Sequence, residues 1–283
     1  MIAYFAGIFV SMFDQKIGTP AVELSASDEG WIHLIQYLLF LVFFGVWYWY
    51  LLQKQEKEEI LSRHSRPRTE EEKKEKRKKA SVTVKAPAKW EPVKYWARRL
   101  PLLILLGYSL QLCVSGILSV FSLGFPTVFE AYKELIQSLA GSGIDIKTFI
   151  SVSFIAPIAE EIMFRGLTYQ YASRAVPEKW AIFIQAVLFG IYHGNLIQFL
   201  YATVIGILLG MLRKQSGSVV PGIVLHIIIN LSAYLIPAAW IETVPKAALM
   251  IGLSLMLIIP GCIILLKKKK RVKPVRRTGD GEA

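Results

Sequence analysis

Leu100 to Phe129 is a run of thirty residues without one charged side chain. Few features restrict a fold more. A helix rises about 1.5 Å per residue, so about 20 apolar residues cross the roughly 30 Å hydrocarbon core of a bilayer. Ala247–Leu266 is a second run, of twenty uncharged residues, and Val219–Trp240 is uncharged apart from His226. The chain is 54% apolar, above the usual composition of a soluble domain.

Charge sits beside these runs, not in them. The net charge is +12, and Gln53–Arg99 holds 16 Lys/Arg against 8 Asp/Glu. From Lys267 onward there are 8 Lys/Arg against 2 acids. Basic blocks that flank spans read as cytoplasmic retention signals strengthened by anionic lipid, and not as a nucleic-acid surface. The bilayer is therefore the expected partner, and no nucleic acid is. Cys113 and Cys262 both lie in apolar runs and read as small buried hydrophobes. Met1–Phe13 is apolar but short, without a basic start or a small-residue cleavage site. It reads as a short span, an interfacial helix or a re-entrant piece.

The expected fold is an all-α, polytopic transmembrane bundle of about seven or eight membrane helices around an intramembrane polar cavity. The expected division is 1–52 for the N-terminal membrane segments, 53–99 for a basic cytoplasmic linker, 100–266 for the main membrane domain and 267–283 for a basic cytoplasmic tail. Trp31–Leu52 ends in Trp47, Tyr48, Trp49 and Tyr50, rings that favour the membrane interface. Glu70–Lys79 is wholly Glu, Lys and Arg, so no packed fold is assigned to the linker. The spans expected after it are Leu100–Leu123, Thr148–Tyr171, Trp180 to about His193, Leu196–Leu212, Val219–Ala239 and Ala247–Leu266. Gly194-Asn195 is the turn that divides two of them. These crossings put every basic cluster on one face, as a multi-pass protein of the cell membrane requires.

Three spans carry ionisable groups, which cost a few kcal/mol each in lipid and tend to face a cavity or one another. In the first, Glu160 and Glu161 are adjacent, and Arg165 lies four residues after Glu161, on the same helix face. Glu160 points about 100° away, so one arginine does not easily serve both acids. Two crowded carboxylates resist double ionisation, which suits a general base. In the second, His193 ends the run Phe189-Gly190-Ile191-Tyr192-His193. In the third, His226 and Asn230 are four apart and share a face. A buried ion pair at Glu161–Arg165, or polar seams between helices at the histidines, would account for each feature singly. Counted from the basic face, His226, Glu160 and His193 lie at depths of roughly 10, 17 and 20 Å, so one cavity can collect them.

A carboxylate, two imidazoles and an amide form a hydrolytic set. Glu160 can take a proton from water, and imidazole or amide N–H groups can stabilise an oxyanion. Glu160, His193 and His226 can alternatively hold a divalent metal such as zinc that activates the water. The ordinary H-E-x-x-H zinc motif is absent. The pattern E-E-x-x-x-R, then F-x-x-x-H, then H-x-x-x-N resembles the CAAX protease and bacteriocin-processing family, whose members include type II CAAX prenyl endopeptidases. It is met here at Glu160, Glu161 and Arg165, at Phe189 and His193, and at His226 and Asn230. The resemblance implies a helical membrane bundle enclosing an endopeptidase site. Glu160 would be the base, His193 its partner, and His226 with Asn230 the oxyanion site, while Glu161 and Arg165 orient the base. It implies a peptide substrate, membrane-associated or CAAX-like at its C-terminus and in some members lipid-modified. It leaves metalloprotease and metal-free glutamate mechanisms both open, and no cofactor is certain. The competing class is a membrane protein without catalysis, an immunity factor or scaffold that keeps the polar seam for binding.

Overall fold

A computed structural model of the chain describes residues 26–64, 93–140 and 146–267. Met1–Phe13, the charged stretch 65–92 and the tail beyond Lys267 lie outside the described residues. Every regular element among the described residues is helical. Helix α1 is Ala26–His64 and α2 is the short Val93–Ala97. Helix α3 is Leu100–Gly124 and α4 is Pro126–Ala140. A broken helical rod follows. It comprises α5 (Ile146–Ile150), a π-helical stretch at Ser151–Ile155, α6 (Ala156–Glu161), a second π-helical stretch at Ile162–Thr168, and α7 (Tyr169–Ala175). The chain continues as α8 (Glu178–Tyr192), α9 (Leu196–Ser216), α10 (Val220–Ser232), a 3-10 turn at Ala238–Trp240, and α11 (Val244–Leu266).

Among the described residues, four helical segments are long and apolar enough to cross a membrane: Leu34–Glu58, Leu100–Gly124, Leu196–Ser216 and Val244–Leu266. This is fewer uninterrupted spans than the hydropathy suggests, for identifiable reasons. The Thr148–Tyr171 run is helical throughout but broken twice by wide turns. Helix α8 has only 15 residues. The Val219–Ala239 run yields the 13-residue α10, after which Pro237 and the 3-10 turn end the regular helix. Helix α1 overshoots the expected end at Leu52 and carries Gln53–His64 as a helical extension. Pro126–Ala140, expected as a loop, is an amphipathic helix.

Helix α3 packs against α10 and α11, and α8 packs against α9. Leu103, Leu106, Leu209, Leu212, Leu225 and Leu265, from four of these helices, form the largest buried cluster. A dense ring of exposed Leu, Ile, Val and Phe covers the outside, as lipid contact demands. The α8–α9 pair is tight because its contact is made by small residues. A Cβ on Gly206 would lie 3.1 Å from that of Ala186, and Gly190 sits against Thr203 and the Phe199 backbone. The turn between them is the expected one. Gly194 adopts φ 71°, and the Asn195 side chain accepts from the Gln198 N–H at 2.8 Å to cap α9.

The broken rod lies against α1, α8 and α10. Pro157 explains its first break. Its ring crowds the preceding turn and it offers no N–H. The turn widens, and the Ala156 N–H reaches back five residues to the Ser151 carbonyl. The second break ends in the same pattern, with the Tyr169 N–H on the Phe164 carbonyl. The glutamate pair sits on α6, between the two wide turns.

Candidate active site

Glu161 and Arg165 are both fully buried, and Arg165 donates from Nη1 to Glu161 Oε1 at 2.8 Å. The i,i+4 pairing expected from the sequence is present. The guanidinium is held on two further sides. Nη2 reaches the Gly206 carbonyl at 3.4 Å, and the plane lies 4.3 Å from the centre of the Phe189 ring. Gln185 donates to the same Gly206 carbonyl at 2.8 Å. Arg213 donates from Nε to the Arg165 carbonyl at 3.1 Å. Arg165 is thus fixed by α9 at both its side chain and its backbone.

His226 stands between the two acids. Its Nδ1 is 3.2 Å from Glu161 Oε1, and its Nε2 is 3.7 Å from Glu160 Oε2. The two glutamates therefore differ. Glu161 accepts from Arg165 and His226. Glu160 has no hydrogen bond among the described residues, and its one imidazole neighbour lies beyond hydrogen-bond length. Glu160 has neither oxygen engaged, while Glu161 has Oε1 engaged and a buried Oε2 without a partner among the described residues. Tyr37 of α1 and Tyr192 of α8 both interact electrostatically with it.

His193 follows the end of α8, its Nδ1 2.8 Å from the Phe189 carbonyl. That arrangement suits an Nδ1–H donor and leaves Nε2 free. The Phe189 ring meets His193 edge-on at 4.8 Å and His226 edge-on at 5.6 Å. Phe189 thus links both imidazoles and the guanidinium. Asn230, one turn beyond His226 on α10, donates from Nδ2 to the Val152 carbonyl at 2.9 Å.

Glu161 meets Arg165 and His226, and His226 in turn faces Glu160. His193 joins them through Phe189, and Asn230 grips the same rod lower down. The depth estimate put His226 about 7 Å above Glu160, yet the two side chains meet. The cause is the turn before α10. Ser216, Ser218 and Val219 are buried, so this helix starts inside the protein and not at its surface. Gly222, in its first turn, permits the approach: a Cβ there would lie 2.6 Å from Glu161 Oε2.

Among the described residues no three His, Cys, Asp or Glu side chains converge as a metal-binding group. His226 turns Nδ1 to Glu161 and Nε2 to Glu160, so only its Nε2 is directed toward Glu160.

Sequence reasoning missed several supporting residues. Gln185 left a signal, as an amide inside an apolar run with no other polar group near it. Tyr37 and Tyr192 left none beyond their composition. Gly206 and Gly222 matter through what they leave out, which one sequence does not reveal.

Fold and site together define a helical membrane protein with a buried acid–imidazole centre. Residues 143–232 match the family described as type II CAAX prenyl endopeptidase Rce1-like. The match spans roughly a third of the chain and includes all six candidate residues. Over this segment the chain is similar to that family. No curated protein and no solved structure matches the chain.

Proposed function

We propose that the protein is an intramembrane endopeptidase in which Glu160 activates the attacking water. The observation that carries this reading is the asymmetry of the acids. Glu161 is held by Arg165 and His226, while Glu160 lies beside the same imidazole without a hydrogen bond. In the proposed step Glu160 takes a proton from water, and the oxygen attacks the peptide carbonyl carbon. His226, with Nδ1–H on Glu161, stabilises the oxyanion through Nε2–H as the imidazolium, and His193 Nε2 orients the water. Collapse of the intermediate breaks the C–N bond, and the proton on Glu160 passes to the leaving amine. No step is routed through a metal.

The substrate is a peptide bond in a membrane-associated or C-terminal CAAX-like peptide. The basic 53–99 and 267–283 segments assign the cytoplasmic side by the positive-inside rule. The test is cleavage of a peptide panel, with and without a prenyl group, by the purified chain in nanodiscs. Glu160→Gln is expected to lower kcat by at least about 100-fold and a chelator to leave it unchanged. Full cleavage by Glu160→Gln refutes the base assignment, and loss of cleavage with chelator refutes the metal-free step.

A further inference from the structure

The carbonyl of Val152 has no donor available within its own helix. In α-helical bonding it would accept from the Ala156 N–H. That N–H is engaged by the Ser151 carbonyl instead. In the wider π pattern it would accept from residue 157, which is proline and has no N–H. Val152 is exposed on the outer side of the rod, and a carbonyl left without a partner there is costly at membrane depth, where lipid offers no donor. The Asn230 amide meets it at 2.9 Å, within the range of a well-formed bond.

We propose that Asn230 is a positioning residue that holds the wide turn at Val152 open and thereby aims the two glutamates. The inference rests on the peptidase reading for its consequence and on backbone accounting for its cause. A π turn contains one residue more than an α turn. Closing it rotates everything beyond it by about 100°. Glu160 and Glu161 follow the turn directly on α6, so that rotation carries both away from His226. Helix α10 grips the rod at two places on one face. His226 touches the acids, and Asn230, four residues on, touches the turn that orients them. With its donor engaged by Val152, the Asn230 amide acts on the reaction through the glutamates and not on the substrate carbonyl.

Pro157 supplies the test. Pro157→Ala restores an N–H but removes the ring that crowds the preceding turn. The full chain in nanodiscs is compared as wild type, Asn230→Ala, Pro157→Ala and the double variant. Asn230→Leu, near in shape and without a donor, carries the same expectation where the alanine variant does not fold. One readout is peptide cleavage, and the other is hydrogen exchange across residues 150–162. Loss of Asn230 is expected to speed exchange there and to lower kcat by about 10-fold, the equivalent of one ordinary hydrogen bond, with KM little changed. Adding Pro157→Ala removes the ring that widens the turn, so exchange protection is expected to recover as the turn closes while kcat stays low. Unchanged exchange in Asn230→Ala overturns the assignment. So does a double variant that regains wild-type cleavage, because its glutamates would then be aimed without the wide turn. The exchange arm is independent of cleavage, so a chain that cleaves nothing refutes the peptidase reading and leaves the positioning role readable.

Discussion

Gly222→Ala is a small change with a calculable effect on the site. The added methyl would sit 2.6 Å from Glu161 Oε2, whereas ordinary contact begins near 3.4 Å. Glu161 or α10 must therefore give way by about 0.8 Å. Glu161 has little freedom, since Oε1 is held by Arg165 at 2.8 Å and by His226 at 3.2 Å. The longer bond breaks first, because a further 0.8 Å takes it to about 4 Å, past hydrogen-bond range. A lost hydrogen bond to a charged group costs about 1.5–3 kcal/mol. Replacing glycine by alanine in a helix returns about 1 kcal/mol. The net expectation is a destabilisation of about 0.5–2 kcal/mol, with cleavage reduced far more than stability because the imidazole between the acids is released. Denaturant titration in mixed micelles reads the first quantity and kcat on a cleavable peptide the second. A Gly222→Ala protein that gains about 1 kcal/mol of stability and cleaves at the wild-type rate refutes the reasoning.

Removing either partner of the buried Glu161–Arg165 pair leaves an uncompensated charge. Glu161→Gln and Arg165→Met are each expected to cost about 3–5 kcal/mol, with the double variant costing less than their sum, as a double-mutant cycle would record. Phe189 is 2% exposed and touches both imidazoles and the guanidinium. Phe189→Ala is expected to cost about 3–5 kcal/mol in the same unfolding measurement and to abolish cleavage. Glu160→Gln, by contrast, is expected to leave the midpoint unchanged or raised, since Glu160 makes no hydrogen bond and its burial as a charge is unfavourable.

The sequence exposes the membrane class through Leu100–Phe129 and Ala247–Leu266, because lipid leaves few ways to satisfy so long an uncharged run. It also exposes the centre, since a charge in such a run needs a partner. Arg165 is found from Glu161 by helical spacing alone. The breaks in the rod are less visible. Pro157 announces some disturbance, but the choice of a wide turn over a kink depends on which neighbour can meet the orphaned carbonyl. That neighbour, Asn230, is 78 residues away. Equal depth in two spans also fails as a guide when a helix begins below the surface, as α10 does. Residues whose contribution is an absent side chain, such as Gly206 and Gly222, become legible only with their neighbours in place.

Helix α8 has a consequence for the lipid. Its 15 residues span about 22 Å, some 8 Å less than a typical hydrocarbon core. Its lipid-facing side, with Phe183, Ile184, Leu188 and Ile191 exposed, is too short to match the bilayer beside it. The surrounding lipid must thin there, at a fraction of a kcal/mol for each ångström of mismatch. The polar headgroups are thus drawn toward His193 and Glu160. For the peptidase proposed above, acyl-chain length becomes a control: lipids with shorter tails fit this wall with less strain and shorten the distance a peptide in the headgroup layer must descend to reach the acids.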